Sequence, residues 1–370
     1  MERIFKLCNG DRLTCTEQAA VFQFSGPRMV LSTGASGGGM RDDLTAAFNY
    51  CDCGMAGVCQ PMQGNNLWEH QRAVARRLGL DPDHTTGLDT AANLDNMVVI
   101  TKRWEDLQIT AAVSGGADVN ALCAGDPAFL TEADGAPTSV PPGTINIFLI
   151  TDRPLAPGAM AELMLTATEA KTAVLRDLMQ GSSISRELAT GTGTDGMVII
   201  CGTGQEGMLL NAGKHFKFGE LAAQAVREAV TEALFRQTGF CAQEQHTVLR
   251  RLHRFGITAD TLSAYCLARR PGQDAAIART IKKLDQDAFL VGAVVLYVHL
   301  EDQRRAGMLT ELEAGDWGEH LLRQVQQHYR CDLPLLQEAA LMDKLEHFLC
   351  QLLMSNLLEQ ERLYPNQPPI

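Results

Sequence analysis

The sequence predicts an α+β unit, a mixed sheet with packed helices, followed by an all-α helical unit. Three observations predict it. Short β-like runs and amphipathic helices intermix irregularly up to about residue 240. Beyond that point only helical periodicity remains. The 370 residues also exceed what one small core requires. The expected boundary lies near 240–248, giving units of 1–243 and 244–370, and no internal repeat of fixed period is evident.

The elements follow in order. Val21-Phe22-Gln23-Phe24 and Met29-Val30-Leu31-Ser32 predict a hairpin around Ser25-Gly26-Pro27. The turn Gly34-Ala35-Ser36-Gly37-Gly38-Gly39 is expected to lead into a helix near 41–50. Leu67, Val74, Ala75 and Leu78 mark an amphipathic helix ending at Gly79. Met97–Thr101, Leu107–Val113 and Ile145–Ile150 read as strands. Between the last two, the Gly/Pro/Asp-rich connection 115–143 is long enough to suggest a functional or mobile loop. Pro157 suits the first position of a helix running to about Leu178. The glycine loop 191–196 feeds a strand, Met197–Cys201. Phe218, Leu221, Ala222, Ala225, Val226, Ala229, Val230, Ala233 and Leu234 then recur at helical spacing and stop before Gly239. The second unit shows helical spacing over about 247–268, 273–305, 318–329 and 333–362.

Composition narrows the function classes. A formal charge of −12 and a pI near 5.2 argue against nucleic acid as a partner, because phosphate neutralisation needs a cationic face. Arg250-Arg251 and Arg304-Arg305 are short basic runs on helices and read as solvated faces. The start, Met1-Glu2-Arg3-Ile4-Phe5-Lys6, does not read as a signal peptide. The most apolar run, Ala288 to Val298, falls short of the ~20 residues that cross a bilayer and reads as a buried helix. Eleven scattered cysteines suggest reduced thiols in a cytoplasmic protein. Cys51-Asp52-Cys53 with Cys59 lacks the paired spacing of a zinc site, and no metal ligands are expected. The broad apolar stripe of Leu341, Leu345, Phe348, Leu349, Leu352 and Leu353 suits a bundle core or a homo-oligomer seam.

Three polar strings stand apart from core packing. The first is Thr166-Ala167-Thr168-Glu169-Ala170-Lys171. On a helix it could bring a hydroxyl, a carboxylate and an ammonium together. The second is Ala189-Thr190-Gly191-Thr192-Gly193-Thr194-Asp195-Gly196. It matches G-x-G-x-x-G in letters, but it follows a helix and opens a strand, the reverse of a dinucleotide site. Its glycines instead suit backbone N–H groups approaching a substrate oxygen. The third is Gly213-Lys214-His215-Phe216-Lys217-Phe218-Gly219-Glu220, in which His215 could act as acid or base. A fourth segment, Gly34-Ala35-Ser36-Gly37-Gly38, fits the G-x-S-x-G nucleophile-elbow pattern.

In order and spacing, the three strings resemble the adenosylcobinamide amidohydrolase family of corrinoid-salvage enzymes, over roughly residues 25–240. The family has a similar Ser-Thr-Ala…Gly-Gly segment, with Asn where Ser36 stands here. The resemblance implies hydrolysis of the amide joining the corrin ring to aminopropanol. Cobalt would arrive with the corrinoid substrate, so no protein-bound cofactor is expected. Catalytic candidates are Glu169, Asp195, His215, Lys171 and Thr168. Substrate-binding candidates are Ser32, Ser36, Gly37, Gly38, Asn49, Thr190, Gly191, Thr192, Gly193, Thr194 and Lys214. Side-chain chemistry suggests that Glu169 or Asp195 activates a water or the hydroxyl of Thr168 or Thr194. N–H groups of 191–196 would hold the oxyanion, and His215 or Lys214 would protonate the amine. The rival expectations are a corrinoid-binding or sensing protein without hydrolytic activity, and a serine hydrolase built on Ser36.

Overall fold

A computed structural model describes residues 2–53, 61–128 and 142–363. The chain divides into two compact units, Met1–Cys241 and Ala242–Ile370. The first is α+β and the second is helical.

In the first unit, β1 (Arg3–Lys6), β2 (Arg12–Cys15), β3 (Ala19–Gln23), β6 (Ala46–Cys51) and β7 (Thr85–Thr90) form one sheet in the order β1-β2-β3-β6-β7. A second sheet has the order β5-β4-β13-β11-β9-β8. Its strands are β4 (Met29–Ser32), β5 (Gly39–Arg41), β8 (Val98–Trp104), β9 (Leu107–Gly115), β11 (Ile145–Pro154) and β13 (Gly196–Gly202). Two short strands, β10 (Ala121–Leu122) and β12 (Gly191–Thr192), pair with each other.

The alternation of side chains along β11 explains the layering. Ile145, Ile147 and Leu149 point into a core with helices α2 (Pro157–Asp177) and α3 (Lys217–Thr238). Phe148 and Ile150 point the other way, into a core shared with Leu13, Phe22, Ala47 and Leu88 of the other sheet. That sheet's outer face, with Phe48 and Tyr50, is covered by Val74 and Ala75 of α1 (Leu67–Arg77). Four layers result: α1, the five-stranded sheet, the six-stranded sheet, then α2 with α3. Between the sheets the rings of Phe22 and Phe148 stack, their centroids 4.3 Å apart.

Local signals place the helix ends. Asn66 caps α1 by accepting the Glu69 N–H at 2.9 Å. Pro157 opens α2, and Gly239, with φ of 77°, closes α3 in the left-handed region. Two sequence expectations are corrected. Residues 41–50 are strand rather than helix, because Ala46–Cys51 is buried on both faces and so shows no alternation. Val21–Phe24 and Met29–Ser32 form no hairpin. The two strands enter different sheets, and Asp11 pins the bend between them by accepting from Ser25 N at 2.8 Å and pairing with Arg28 at 2.7 Å.

In the second unit, α4 (Val248–Leu252), α5 (Ala259–Leu267), α6 (Asp274–Asp285), α7 (Ala288–Arg305), α8 (Glu311–Tyr329) and α9 (Leu341–Leu363) pack around Tyr297, Phe348 and their aliphatic neighbours. The expected long helices are broken where caps intervene. Thr258 and Thr310 form capping boxes, and Asp287 starts α7. Pro334 keeps 333–340 from continuing a helix.

No helix among the described residues is long and apolar enough to cross a membrane. Cys53 is held in a disulfide, contrary to the expectation of reduced thiols throughout, while the other described cysteines are free. Residues 129–141 of the expected loop, together with Cys59, lie outside the described residues.

Phe148→Ala should destabilise the first unit by roughly 3–5 kcal/mol, the usual cost of removing a buried aromatic ring. Chemical denaturation followed by near-ultraviolet dichroism reads this directly.

Candidate functional site

β4 and β9 run antiparallel to β13 and β11, so their ends lie beside the starts of those two strands. Four connections therefore gather at one edge of the six-stranded sheet: 33–38, 116–120, 142–144 and 190–195. Short polar bonds tie them together. Thr144 Oγ1 donates to Thr194 O at 2.7 Å, and Thr194 Oγ1 to Gly143 O at 3.1 Å. Asn120 Nδ2 donates to Gly143 O at 2.9 Å, and Met197 N to Thr33 Oγ1 at 2.9 Å.

Asp195 organises one side of this edge. Its Oδ2 pairs with Lys171 Nζ and accepts Thr192 N at 3.0 Å. Its Oδ1 accepts Thr192 Oγ1 at 2.6 Å and Ile145 N at 2.9 Å. Four donors fill the four acceptor positions of a carboxylate. Lys171 is buried, as its neighbour requires, since an ammonium loses too much hydration to be buried without a partner. Gly191 makes the approach feasible, because a Cβ there would lie 2.8 Å from Lys171 Nζ. The next residue, Thr172, donates its Oγ1 to Thr190 O at 2.8 Å, so α2 holds the glycine loop at two points.

A second network begins one residue along β11 and faces the inter-sheet layer. Asn146 Nδ2 donates to Asn49 Oδ1 and to Asp89 O, both at 2.9 Å, and Asn49 Nδ2 donates to Ser114 Oγ at 2.7 Å. Buried amides must be satisfied in this way. Asp89 points outward to α1, where its Oδ2 accepts Gln71 Nε2 at 2.7 Å. Gln71 Oε1 in turn accepts the Ser36 N–H at 2.8 Å, which ties the first glycine turn to the same network. Ser32 Oγ and Thr86 Oγ1 lie 2.7 Å apart beside it. Gly37, at φ of 67°, packs against the Thr85–Thr86 backbone. The N–H groups of Gly37 and Gly38 have no acceptor among the described residues.

His70 completes the network. Its Nε2 lies 3.0 Å from Asp52 Oδ1 and 3.5 Å from Asp89 Oδ1, and its Nδ1 accepts the Gln63 N–H at 2.9 Å. Asp52 and Asp89 together draw the imidazole up to about 9. Protonating Nδ1 would forfeit one hydrogen bond, worth about 1 kcal/mol. Two facing carboxylates outweigh that, so the upward direction holds. Burial in turn raises Asp52 above the ordinary carboxylate range.

The expected residues divide into two groups. Lys171, Asp195, Thr190, Gly191, Thr192, Gly193 and Thr194 meet at the edge, as do Ser32, Ser36, Gly37, Gly38 and Asn49. Thr168, Glu169, Lys214 and His215 are exposed and take part in none of these bonds. The expected convergence of hydroxyl, carboxylate and ammonium within Thr166–Lys171 is corrected here. Glu169 and Lys171 stand roughly 200° apart around the helix. Glu169 pairs outward with Lys214, and Thr168 Oγ1 bonds back to Met164 O at 2.8 Å. Ser36 is buried, and its turn joins two strands instead of the strand and helix of a nucleophile elbow. The Thr166 hydroxyl anchors the third string by donating to Ala212 O at 3.1 Å.

Sequence reasoning missed Asp52, His70, Gln71, Asp89, Ser114 and Asn146. One signal was present. His70 and Gln71 lie one turn before Val74 and Ala75, on the buried stripe of α1, where polar residues need a reason.

Residues 4–242 match the family model described as adenosylcobinamide amidohydrolase. The chain belongs to that family. The match spans the unit that carries the edge and leaves the helical unit outside it. Uncharacterized protein MJ1613 of Methanocaldococcus jannaschii is 36% identical over 184 residues, covering 47% of this chain and 71% of that protein. A solved structure, the PH0078 protein from Pyrococcus horikoshii OT3, is similar at 12% identity with a TM-score of 0.29. It covers 59% of this chain and 78% of that one, and nothing about function follows from the likeness.

Two measurements probe the networks. Asp195→Asn leaves Lys171 buried without its counter-charge and should cost roughly 3–5 kcal/mol. Glu169→Gln, at a pair more than half exposed on both sides, should cost under about 1 kcal/mol. Equilibrium denaturation of the two variants separates these values. His70 has a folded pKa above its ordinary value, so its stabilising contribution is complete below about pH 6.5 and fades as pH rises through about 9. The melting-temperature deficit of His70→Gln should accordingly be largest near pH 6 and shrink by about pH 10.

Proposed function

We propose that this chain hydrolyses the amide joining the corrin ring's propionyl arm to aminopropanol in adenosylcobinamide. The products are adenosylcobyric acid and the amino alcohol, which suits corrinoid salvage. The family match over residues 4–242 carries the reading. The edge supports it: two glycine turns, at 34–38 and 191–194, flank buried strand ends and offer small residues and backbone N–H groups. Such an edge suits a bulky macrocycle that must present one secondary amide among several primary ones. Cobalt belongs to the substrate in this reading.

The roles follow from which groups are free. Asp195 and Lys171 satisfy each other and act by shaping the glycine loop. The N–H groups of Gly37 and Gly38 are available to the developing oxyanion, where one donor is typically worth a few kcal/mol. Glu169, Lys214 and His215 form an exposed set suited to the rim, where they would meet the polar periphery of the corrin.

Incubation with adenosylcobinamide should release free aminopropanol, detected by mass spectrometry. Binding without release would favour a corrinoid sensor instead. A chain truncated after residue 245 should keep hydrolytic activity, because the matched residues end at 242 and the first unit has its own cores. A soluble, folded but inactive truncation would contradict this.

A further inference from the structure

We infer that Asp52 is the group that carries the proton in this reaction, with His70 and Asp89 as its positioning residues; the inference rests on the amidohydrolase reading above. The Asp52 carboxylate takes a proton from the water that attacks the amide carbon. It returns that proton to the nitrogen as the C–N bond breaks. The water oxygen forms the new C–O bond, its second proton leaves with the acid, and no oxidant or reductant takes part.

Four observations lead to Asp52. The first is location. Asp52 directly follows β6, whose Asn49 is bonded to Asn146 at the start of β11, beside the gathered loops. The second is access. The side chains of His70, Asp89 and Asp52 are 5%, 13% and 25% exposed, so the trio opens toward solvent at Asp52. The third is the supply of free oxygens. Asp195 is filled by four donors, and the Asp89 oxygen left without a hydrogen bond, Oδ1, is buried, whereas Asp52 Oδ2 takes no hydrogen bond among the described residues and belongs to the more exposed side chain. The fourth is the supply of protons. In the neutral ring, with Nδ1 receiving the Gln63 N–H, and equally in the imidazolium that the carboxylates favour, Nε2 carries a proton facing both of them. The imidazole thus holds Asp52 by one oxygen and leaves the other for water. Burial also disfavours the charged carboxylate, which brings Asp52 closer to the working range of an acid–base group.

The same three residues could be taken for a metal site, since one ligand atom from each lies within 4.8 Å of the others. The hydrogen bonds oppose this. A metal on Nε2 would expel the proton the carboxylates hold, and Nδ1 already accepts an N–H. No ring nitrogen would then carry a proton unless the Gln63 contact broke.

The test uses the full-length chain with adenosylcobinamide and compares wild type, Asp52→Asn, Asp52→Glu and His70→Gln between pH 5 and 10. Asp52→Asn should lower kcat by about a hundredfold or more, with KM within about threefold and an unchanged dichroism spectrum. Asp52→Glu should recover part of the rate. His70→Gln should shift the pH profile of kcat more than it changes KM. If Asp52→Asn misfolds, Asp52→Glu decides: a wild-type rate and profile in that variant would overturn the inference. So would Asp52→Asn turning over within about threefold of wild type. Activity lost to a chelator and restored by zinc or manganese would assign the trio to a metal and overturn the proton role. A wild-type chain that releases no aminopropanol overturns the amidohydrolase reading and this inference with it. An active wild type beside an active Asp52→Asn overturns this inference alone.

Discussion

The first two residues of β11 hold the functional half of the molecule together. Ile145 gives its N–H to Asp195, and Asn146 gives its side-chain amide to Asn49 and Asp89. Because successive strand residues face opposite ways, this one dipeptide serves two networks on either side of a sheet. One network pins the glycine loop to α2. The other reaches through the inter-sheet layer to α1 and the first glycine turn. Neither face could be polar here if the groups were not paired, since each amide is withdrawn from water.

The two ion pairs of α2 show how burial, more than residue type, separates structural charge from solvated charge. Lys171 with Asp195 and Lys214 with Glu169 contain the same chemical groups. The first pair is enclosed, with its carboxylate bonded at every acceptor position, so its loss leaves a stranded charge. The second stands in water, where screening and side-chain entropy leave little net gain.

Much of this architecture was legible in the sequence. Pro157 and Gly239 mark helix ends, and the apolar runs of β9, β11 and β13 read as strands because each is buried on both faces. The polar strings and the glycine turns also stood out. Which way they face did not, since letter order gives no phase for a helix whose both sides are partly covered. β6 and β7 were the main loss. Ala46–Cys51 lacks alternation because both its faces are enclosed, and Thr85-Thr86-Gly87-Leu88-Asp89-Thr90 looks like a turn until Phe48 is seen lying over Gly87. Missing those strands hid Asp52 and Asp89, which sit at their ends. His70 and Gln71 come from a separate helix about twenty residues away in sequence from either carboxylate, so only the fold assembles the group.

The parallel pairing of β6 with β7 sets Tyr50 opposite Asp89 and Asn49 opposite Leu88. Sliding β7 by a single residue would turn Leu88 toward the imidazole and drive a carboxylate into the oily space between the sheets. The meeting of Asp89 with His70 is therefore locked to strand alignment. A residue added within β7 ahead of Asp89 would break up the histidine cluster without replacing any of its members.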